Sequence, residues 1–418
     1  MYNSTLRIEE INASLWSGAP KCSILKLKRV KVLGADGHAA CTPDLLPAGM
    51  TTEKEAFMSW NEEKIYTNAS EIAGYLGLTG EEEKQMQEIL ERYPMAVPEY
   101  YLSLIDREDP ADPIRRMCIP SLTETDMSGE FDTSGEADNT VQTGLQHKYA
   151  QTALILSTNR CAMYCRHCFR KRLVGLDDAE TAKNFEAMMT YVEEHREITN
   201  VLVSGGDSFM MSNRMIKRYL EALTKIDHLD LIRFGTRIPV VFPDRVLRDA
   251  ELQEIFRQFA DKKQIYIVSQ FNHPRELTWQ AREVIRIFRR MGIVFKNQTV
   301  LLKGVNDDPQ VLGSLLRELT AAGVVPYYVF QCRPVRGVKN QFQVPLERGV
   351  QIVDEAKNMQ NGQGKCIRYC MSTPKGKIEI LGQLPDGQMV FKFNQAKDSQ
   401  DASRLFSMNL EPGQCWLD

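Results

Sequence analysis

The sequence predicts an α/β fold: parallel strands wound with helices into an open partial (β/α)6 barrel, preceded by a helical region and followed by a small C-terminal α+β extension. Three observations predict it. Short β-branched runs alternate with stretches of helix length between residues 153 and 332, apolar residues recur at three- and four-residue spacing upstream, and two strand-like pieces joined by a turn lie near the end.

Residues 1–52 read as an N-terminal appendage, because Gly34, Gly37 and the CTPDLLPAGM segment interrupt any period. Residues 53–120 read as a helical region. Phe57, Trp60, Ile65, Ile72, Tyr75, Leu76, Met86, Ile89 and Leu90 keep helical spacing, and Thr79 with Glu82 is a capping-box signal. Residues 121–145, beginning SLTETDMSGEFDTSGEADNT, are too polar to bury a core and predict a flexible acidic linker. The barrel, 146–336, supplies six apolar runs: ALILST (153–158), NVLVSGGD (200–207), LIRFGT (231–236), IYIVSQ (265–270), IVFKNQTVLL (293–302) and VPYYVFQC (325–332). The stretches 179–196, 213–226, 249–262, 278–291 and 308–322 between them are each long enough for a helix of several turns. Such alternation implies parallel pairing through right-handed crossovers. Periodicity alone leaves a doubly wound sheet as the alternative. In the extension, 337–418, a helix over 346–359 precedes the strands KIEILG and QMVFKF, joined by the turn LPDGQ.

A chain of 418 residues suits one large catalytic unit. A net charge of -3, with Lys and Arg scattered, excludes the electrostatic footprint of a general nucleic-acid binder. The chain has no run of 18 apolar residues, and its first thirty place acids and a proline where a secretory core would sit, so a soluble, cytoplasmic protein with no membrane partner is expected. Of the ten cysteines, three cluster at ligand spacing and seven are spread without regular pairing, which favours metal or redox chemistry over a disulfide framework.

The clustered three are Cys161, Cys165 and Cys168, a C-x3-C-x2-C triad directly after an apolar run. They place three thiolates on one loop at the carboxyl end of a strand, where open α/β folds bind ligands. Three thiolates leave one iron of a [4Fe-4S] cluster without a protein ligand. That iron can be chelated by the amino and carboxylate groups of S-adenosylmethionine, and an electron from the cluster then generates a 5'-deoxyadenosyl radical. A zinc site or a set of packed structural cysteines is the competing reading. At the end of the next run, Ser204, Gly205, Gly206 and Asp207 form an SGGD turn whose paired glycines allow close backbone approach.

These motifs lie within a longer series: residues 95–121 (MAVPEYYLSLIDREDPADPIRRMCIPS), 161–172 (CAMYCRHCFRKR), 201–207 (VLVSGGD), 237–245 (RIPVVFPDR), 271–277 (FNHPREL), 297–307 (NQTVLLKGVND) and 326–332 (PYYVFQC). In this order they resemble the lysine 2,3-aminomutase family of radical S-adenosylmethionine (radical SAM) enzymes, over roughly residues 60–390. The resemblance implies a radical SAM partial barrel that moves an amino group from C2 to C3 of an amino acid imine-linked to pyridoxal phosphate. It implies cluster ligation by Cys161, Cys165 and Cys168. It places Ser204 to Asp207, His167 and Gln298 around S-adenosylmethionine, and gives Arg170 a hold on the substrate carboxylate. It further implies an electron donor such as a flavodoxin or ferredoxin, and self-association.

The chain also departs from the family's pattern. Lysine-acting members carry an Asp after the Cys of the QC pair, where this chain has Arg333, and a second acid where it has Ser372. A cation there repels a lysine side chain, so an acidic or otherwise non-lysine amino acid is expected, with Arg333 binding an anionic group. The glycine-rich loop before the imine lysine is shortened to Pro374-Lys375-Gly376-Lys377, which makes Lys377 the first candidate for that lysine and Lys375 the second. Lys148, Thr152 and Phe330 replace two arginines and a tyrosine, and no structural zinc is expected, since only Cys415 follows Cys370. Three readings stay open: a pyridoxal-dependent aminomutase, a pyridoxal-independent radical enzyme carrying out dehydrogenation, cleavage or another rearrangement, and a non-catalytic iron-sulfur regulator. Lys377 separates the first two.

Overall fold

The computed structural model of the chain describes residues 63–176 and 178–417. The expected appendage at 1–52, and Phe57 and Trp60 of the helical region, lie outside the described residues. Strand β1 (Ile65–Tyr66) pairs antiparallel with β2 (Val97–Pro98), and the helices Ala69–Leu76 and Gly80–Arg92 lie between them in sequence. Thr79 starts the second helix as its spacing predicts. Its hydroxyl accepts from the Glu82 amide at 3.3 Å, and the Glu82 carboxylate accepts from the Thr79 amide at 2.8 Å. The apolar faces at Ile72, Leu76, Met86 and Leu90 enter the same core as the barrel helices.

Twelve strands form one sheet: β3 (Thr140–Gln142), β4 (Leu145–Tyr149), β5 (Thr152–Thr158), β6 (Asn200–Gly205), β7 (Leu231–Gly235), β8 (Gln264–Ser269), β9 (Val294–Leu301), β10 (Val325–Gln331), β11 (Arg368–Thr373), β12 (Gly376–Gln383), β13 (Met389–Ala396) and β14 (Leu405–Met408). They neighbour one another in chain order. β5 to β11 pair in parallel, and both flanks pair antiparallel. A doubly wound sheet requires a reversal of strand order. A sheet that adds each strand to the same edge carries its right-handed crossovers on one face and curls the other around a cavity. The order therefore decides for the partial barrel, open at β3 and β14.

Period-two alternation divides the two faces. On β6, Val201 and Val203 are buried while Asn200, Leu202 and Ser204 line the cavity; on β7, Ile232 and Phe234 are buried while Arg233 and Gly235 line it. The outer residues meet the helices Ala250–Ala260 and Trp279–Arg290 through a chain of rings, with Phe234 to Phe256 at 5.3 Å, Phe256 to Phe288 at 5.1 Å and Phe288 to Phe295 at 6.3 Å between centroids. No helix among the described residues is long and apolar enough to cross a membrane.

Two expectations need correction. The parallel run has a seventh member, β11, reached through the helix Leu346–Asn358, so the sheet continues without a break past residue 336 into the extension. The segment 121–145, expected to be a flexible linker, is folded. It contains two 3-10 turns and β3, and Glu124 and Glu136 are buried at 0% and 5% exposure. Its acids are partners for the basic run after the cysteines. Glu124 pairs with Arg166 and with Lys171 at 2.5 Å, and Glu136 pairs with both Arg170 and Arg172 at 2.8 Å.

Candidate active site

The carboxyl ends of the parallel strands open on a cavity of about 530 Å³. All twelve residues singled out from the sequence line it: Cys161, Cys165, Cys168, His167, Arg170, Ser204, Gly205, Gly206, Asp207, Gln298, Arg333 and Lys377. So do the departures Lys148, Thr152, Phe330 and Ser372. Lys375 does not, since it is exposed on the turn between β11 and β12.

The cysteine loop leaves β5 and is braced by the helical region. The Tyr164 amide donates to Ala96 O at 3.0 Å and the Arg166 amide to Met117 O at 2.9 Å, while the Arg166 guanidinium holds Glu124 and donates to Pro94 O. Burial pushes the Cys168 thiol up to about 11 and the Cys161 thiol well above its ordinary value. Arg237, at the end of β7, donates from Nη1 to Cys165 Sγ at 2.7 Å and from Nη2 to Glu276 Oε1 at 2.6 Å. Tyr101 and the Asn272 amide complete the shell of Glu276, each at 2.6 Å. The sequence reading named neither Arg237 nor Glu276 as a site residue, although both lie in segments that carry the family resemblance.

The SGGD turn is tied to the same loop. The Gly206 amide donates to Thr158 O at 2.5 Å and the Asp207 amide to Arg160 O at 2.8 Å. A Cβ at Gly205, where φ is +122°, would stand 2.3 Å from Thr158 O, and one at Gly206 would stand 2.4 Å from Arg160 O. Both glycines are thus required by the approach of two backbone segments, β6 and the cysteine loop. Asp207 accepts from the Arg237 amide at 2.7 Å and the Phe209 amide at 3.0 Å, joining the ends of β6 and β7. His167 meets Asn272 Nδ2 at 3.2 Å through Nε2, and burial holds its pKa well below the ordinary value, so the imidazole is neutral.

Arg170 is buried with its Nε on Glu136 Oε1 at 2.9 Å and Nη1 on Gly205 O at 3.3 Å. Arg333 stacks on Phe169 at 4.2 Å from the ring centroid, and its Nη1 is buried without a hydrogen-bond partner. Lys377 donates to Gln395 Oε1 at 3.0 Å and lies over the rings of Tyr328 at 4.3 Å and Phe330 at 5.7 Å. Burial pushes its pKa down to about 7. The register of β12 places Lys377 on the cavity face, between Gly376 and Ile378, which are both buried. Positive charge dominates the site. Arg170 and Arg237 have carboxylate partners, whereas Lys148, Arg233, Lys296, Arg333 and Lys377 form no ion pair among the described residues.

The sequence model of the Radical SAM superfamily matches residues 155–313, from β5 into the helix that follows β9. A protein described as a putative L-lysine 2,3-aminomutase of Aquifex aeolicus (strain VF5) is 39% identical over 340 residues, 81% of this chain and 90% of that protein. The chain belongs to the lysine 2,3-aminomutase family of radical SAM enzymes. The glutamate 2,3-aminomutase of Clostridioides difficile (strain 630) is 33% identical over 328 residues, 78% of this chain and 76% of that protein. The L-lysine 2,3-aminomutase of Clostridium subterminale is 32% identical over 318 residues, 75% of this chain and 73% of that protein. Membership of this family implies a [4Fe-4S] cluster and S-adenosylmethionine. The chemistry of the donor set fits them: three thiols on one loop face a cavity beside a guanidinium. Among the described residues no three His, Cys, Asp or Glu side chains are placed to hold a single metal ion. The match to both lysine and glutamate 2,3-aminomutases leaves the substrate to the chemistry of the cavity.

Proposed function

We propose that this radical SAM enzyme is a pyridoxal-dependent 2,3-aminomutase acting on an acidic α-amino acid. The observation that carries the proposal is the pairing, in one cavity, of Lys377 with the unpartnered cation Arg333. Lys377 fits pyridoxal phosphate: an amine whose pKa is pushed down to about 7 keeps a large neutral fraction at physiological pH, as attack on an aldehyde requires. Its neighbour Phe330, which lines the cavity, offers an apolar face to an aromatic cofactor.

When bound, the cluster with S-adenosylmethionine supplies a hydrogen-abstracting radical, and pyridoxal phosphate supplies a conjugated carrier for the migrating amino group. The chain's own residues supply the rest. Cys161, Cys165 and Cys168 hold the cluster, and Ser204 to Asp207, His167 and Gln298 lie against S-adenosylmethionine. Arg237, fixed by Glu276, places a positive charge beside Cys165 Sγ, where it would offset the negative charge of a bound cluster. Arg170 and Arg333 both stack on Phe169, at 4.6 and 4.2 Å, and of the two guanidinium groups only Arg333 has a buried N–H left without a partner. Arg333 therefore grips the side-chain carboxylate, while Arg170, held by Glu136, positions the α-carboxylate through its remaining edge. A lysine substrate would bring an ammonium group beside Arg333, a guanidinium that forms no ion pair among the described residues.

The test offers the reduced, cluster-loaded protein S-adenosylmethionine, pyridoxal phosphate and a panel of amino acids, and measures 5'-deoxyadenosine. Release above background is expected with acidic amino acids and not with lysine. In Arg333→Ala the KM for the acid should rise about 10- to 100-fold, the loss of a charged hydrogen bond. Preferred turnover of lysine, or an unchanged KM in Arg333→Ala, would overturn the proposal.

A further inference from the structure

The floor of the cavity, near the amino ends of β7 to β10, carries charge that forms no ion pair among the described residues. Arg233 is the third residue of β7 and pairs in register with Tyr266 on β8, and both line the cavity. Its Nε is buried without a hydrogen-bond partner. Among the described residues it forms no ion pair; burial lowers its pKa, and Tyr327 and Tyr328 offset that in part. Lys296, the third residue of β9, places its ammonium between the rings of Tyr266 at 4.9 Å and Tyr327 at 4.6 Å. The charge of Arg233 reaches it and, after burial, holds its pKa below the ordinary lysine value.

Two like charges facing one space without a counter-ion repel each other and lack part of the solvation that water would give them. Both costs are removed by an anion bound between them. A guanidinium fork and a rotatable ammonium, brought from two strands to one cavity, offer several N–H donors, a set suited to the three terminal oxygens of a phosphate monoester dianion. Lys377 lines the same cavity as Arg233 and Lys296.

We propose that Arg233 and Lys296 form a phosphate subsite on the cavity floor, which takes the phosphate ester of a pyridoxal-type cofactor attached at Lys377 and leaves Arg333 free for the substrate carboxylate. The assignment rests on the pyridoxal reading above. It adds that the phosphate is held from β7 and β9, whereas the shortened loop at Pro374 and Lys375 has few amides to offer.

The test compares pyridoxal phosphate with pyridoxal, which has the aldehyde and lacks the phosphate. Capture at Lys377 is fixed with borohydride and located by peptide mass, and affinity is measured by titration. Wild type should prefer the phosphorylated aldehyde strongly. Lys296→Gln and Arg233→Lys should each reduce that preference about tenfold or more through the phosphorylated arm alone, with pyridoxal capture unchanged. Arg233→Lys keeps the charge and guards against loss of fold. If wild type captures the cofactor at Lys377 and the preference is the same in both variants, the subsite is overturned and the pyridoxal reading stands. If wild type captures neither aldehyde, the pyridoxal reading fails, and inorganic phosphate titrated alone decides the subsite. Binding lost in Lys296→Gln supports a phosphate site for another phosphate monoester, and no binding by wild type overturns it.

Discussion

Lys377 shows how one residue joins stability to function. Burial pushes its pKa down to about 7, and the cations Arg233, Arg333 and Lys148 that face it act in the same direction against the offset of Cys370. In the unfolded chain the amine binds its proton up to the ordinary lysine range. Between pH about 7 and that range the unfolded state therefore carries the extra proton, and the contribution of this group to stability rises with pH. Below pH about 7 both states are protonated and the cost of the buried ammonium is felt in full. Lys377→Met should consequently make the cofactor-free protein more stable than wild type, most at pH 6 and progressively less toward pH 9, as read by thermal unfolding across that range. A constant difference would mean that the ammonium is well solvated. Sequence alone picks out this lysine by its place in a shortened loop. The choice between Lys375 and Lys377 needs the structure, in which Lys375 is exposed on the turn before β12 and Lys377, on the strand itself, lines the cavity.

The elements least legible in the sequence are those defined by partners far along the chain. The six barrel runs are readable because each alternates between a helix-facing and a cavity-facing side, and the helices between them carry matching apolar stripes. β11, RYCMST, has one β-branched residue and follows a glycine-rich turn, so no local signal separates it from a loop, and its place is set by pairing with β10. The acidic segment 121–145 has a disordered composition, but Glu124 and Glu136 meet Arg166 and Arg170, which lie 42 and 34 residues downstream. Composition counts such acids as solvated; tertiary structure buries them against the basic run of the cysteine loop. Removing one should be severe. Glu124→Ala leaves Arg166 and Lys171 buried without a counter-charge, and a loss of about 3–5 kcal/mol is expected in denaturant unfolding. Because Arg166 sits between Cys165 and Cys168, the same variant should bind less iron on anaerobic reconstitution. Wild-type stability and iron content in Glu124→Ala would show that the segment does not order the loop.

At the scale of the whole molecule, the strand order does the chemical work. Adding each strand to the same edge keeps the crossovers outside and converges the carboxyl ends of β5 to β10 and the antiparallel flank of β11 to β13 on one cavity. Residues from Cys161 to Gln395 thus face one another across it, although they are distant in sequence. The groups proposed to generate and to use the radical meet there: the cysteine loop leaves β5 on one side, and Lys377 enters from β12 on the other. The half proposed to bind the cluster is legible as a local motif, while the half proposed to hold cofactor and substrate depends on single residues from β7, β9, β10 and β12 that only the assembled sheet brings together. The central claim is that these halves act together to move an amino group. Carbon-13-labelled glutamate, incubated anaerobically with reduced wild type, S-adenosylmethionine and pyridoxal phosphate, tests it by NMR of the product. The account predicts a product with the amino group on C3 in wild type and none in Lys377→Ala or Cys168→Ala. Release of 5'-deoxyadenosine with the amino group still on C2, or equal product from Lys377→Ala, would contradict it.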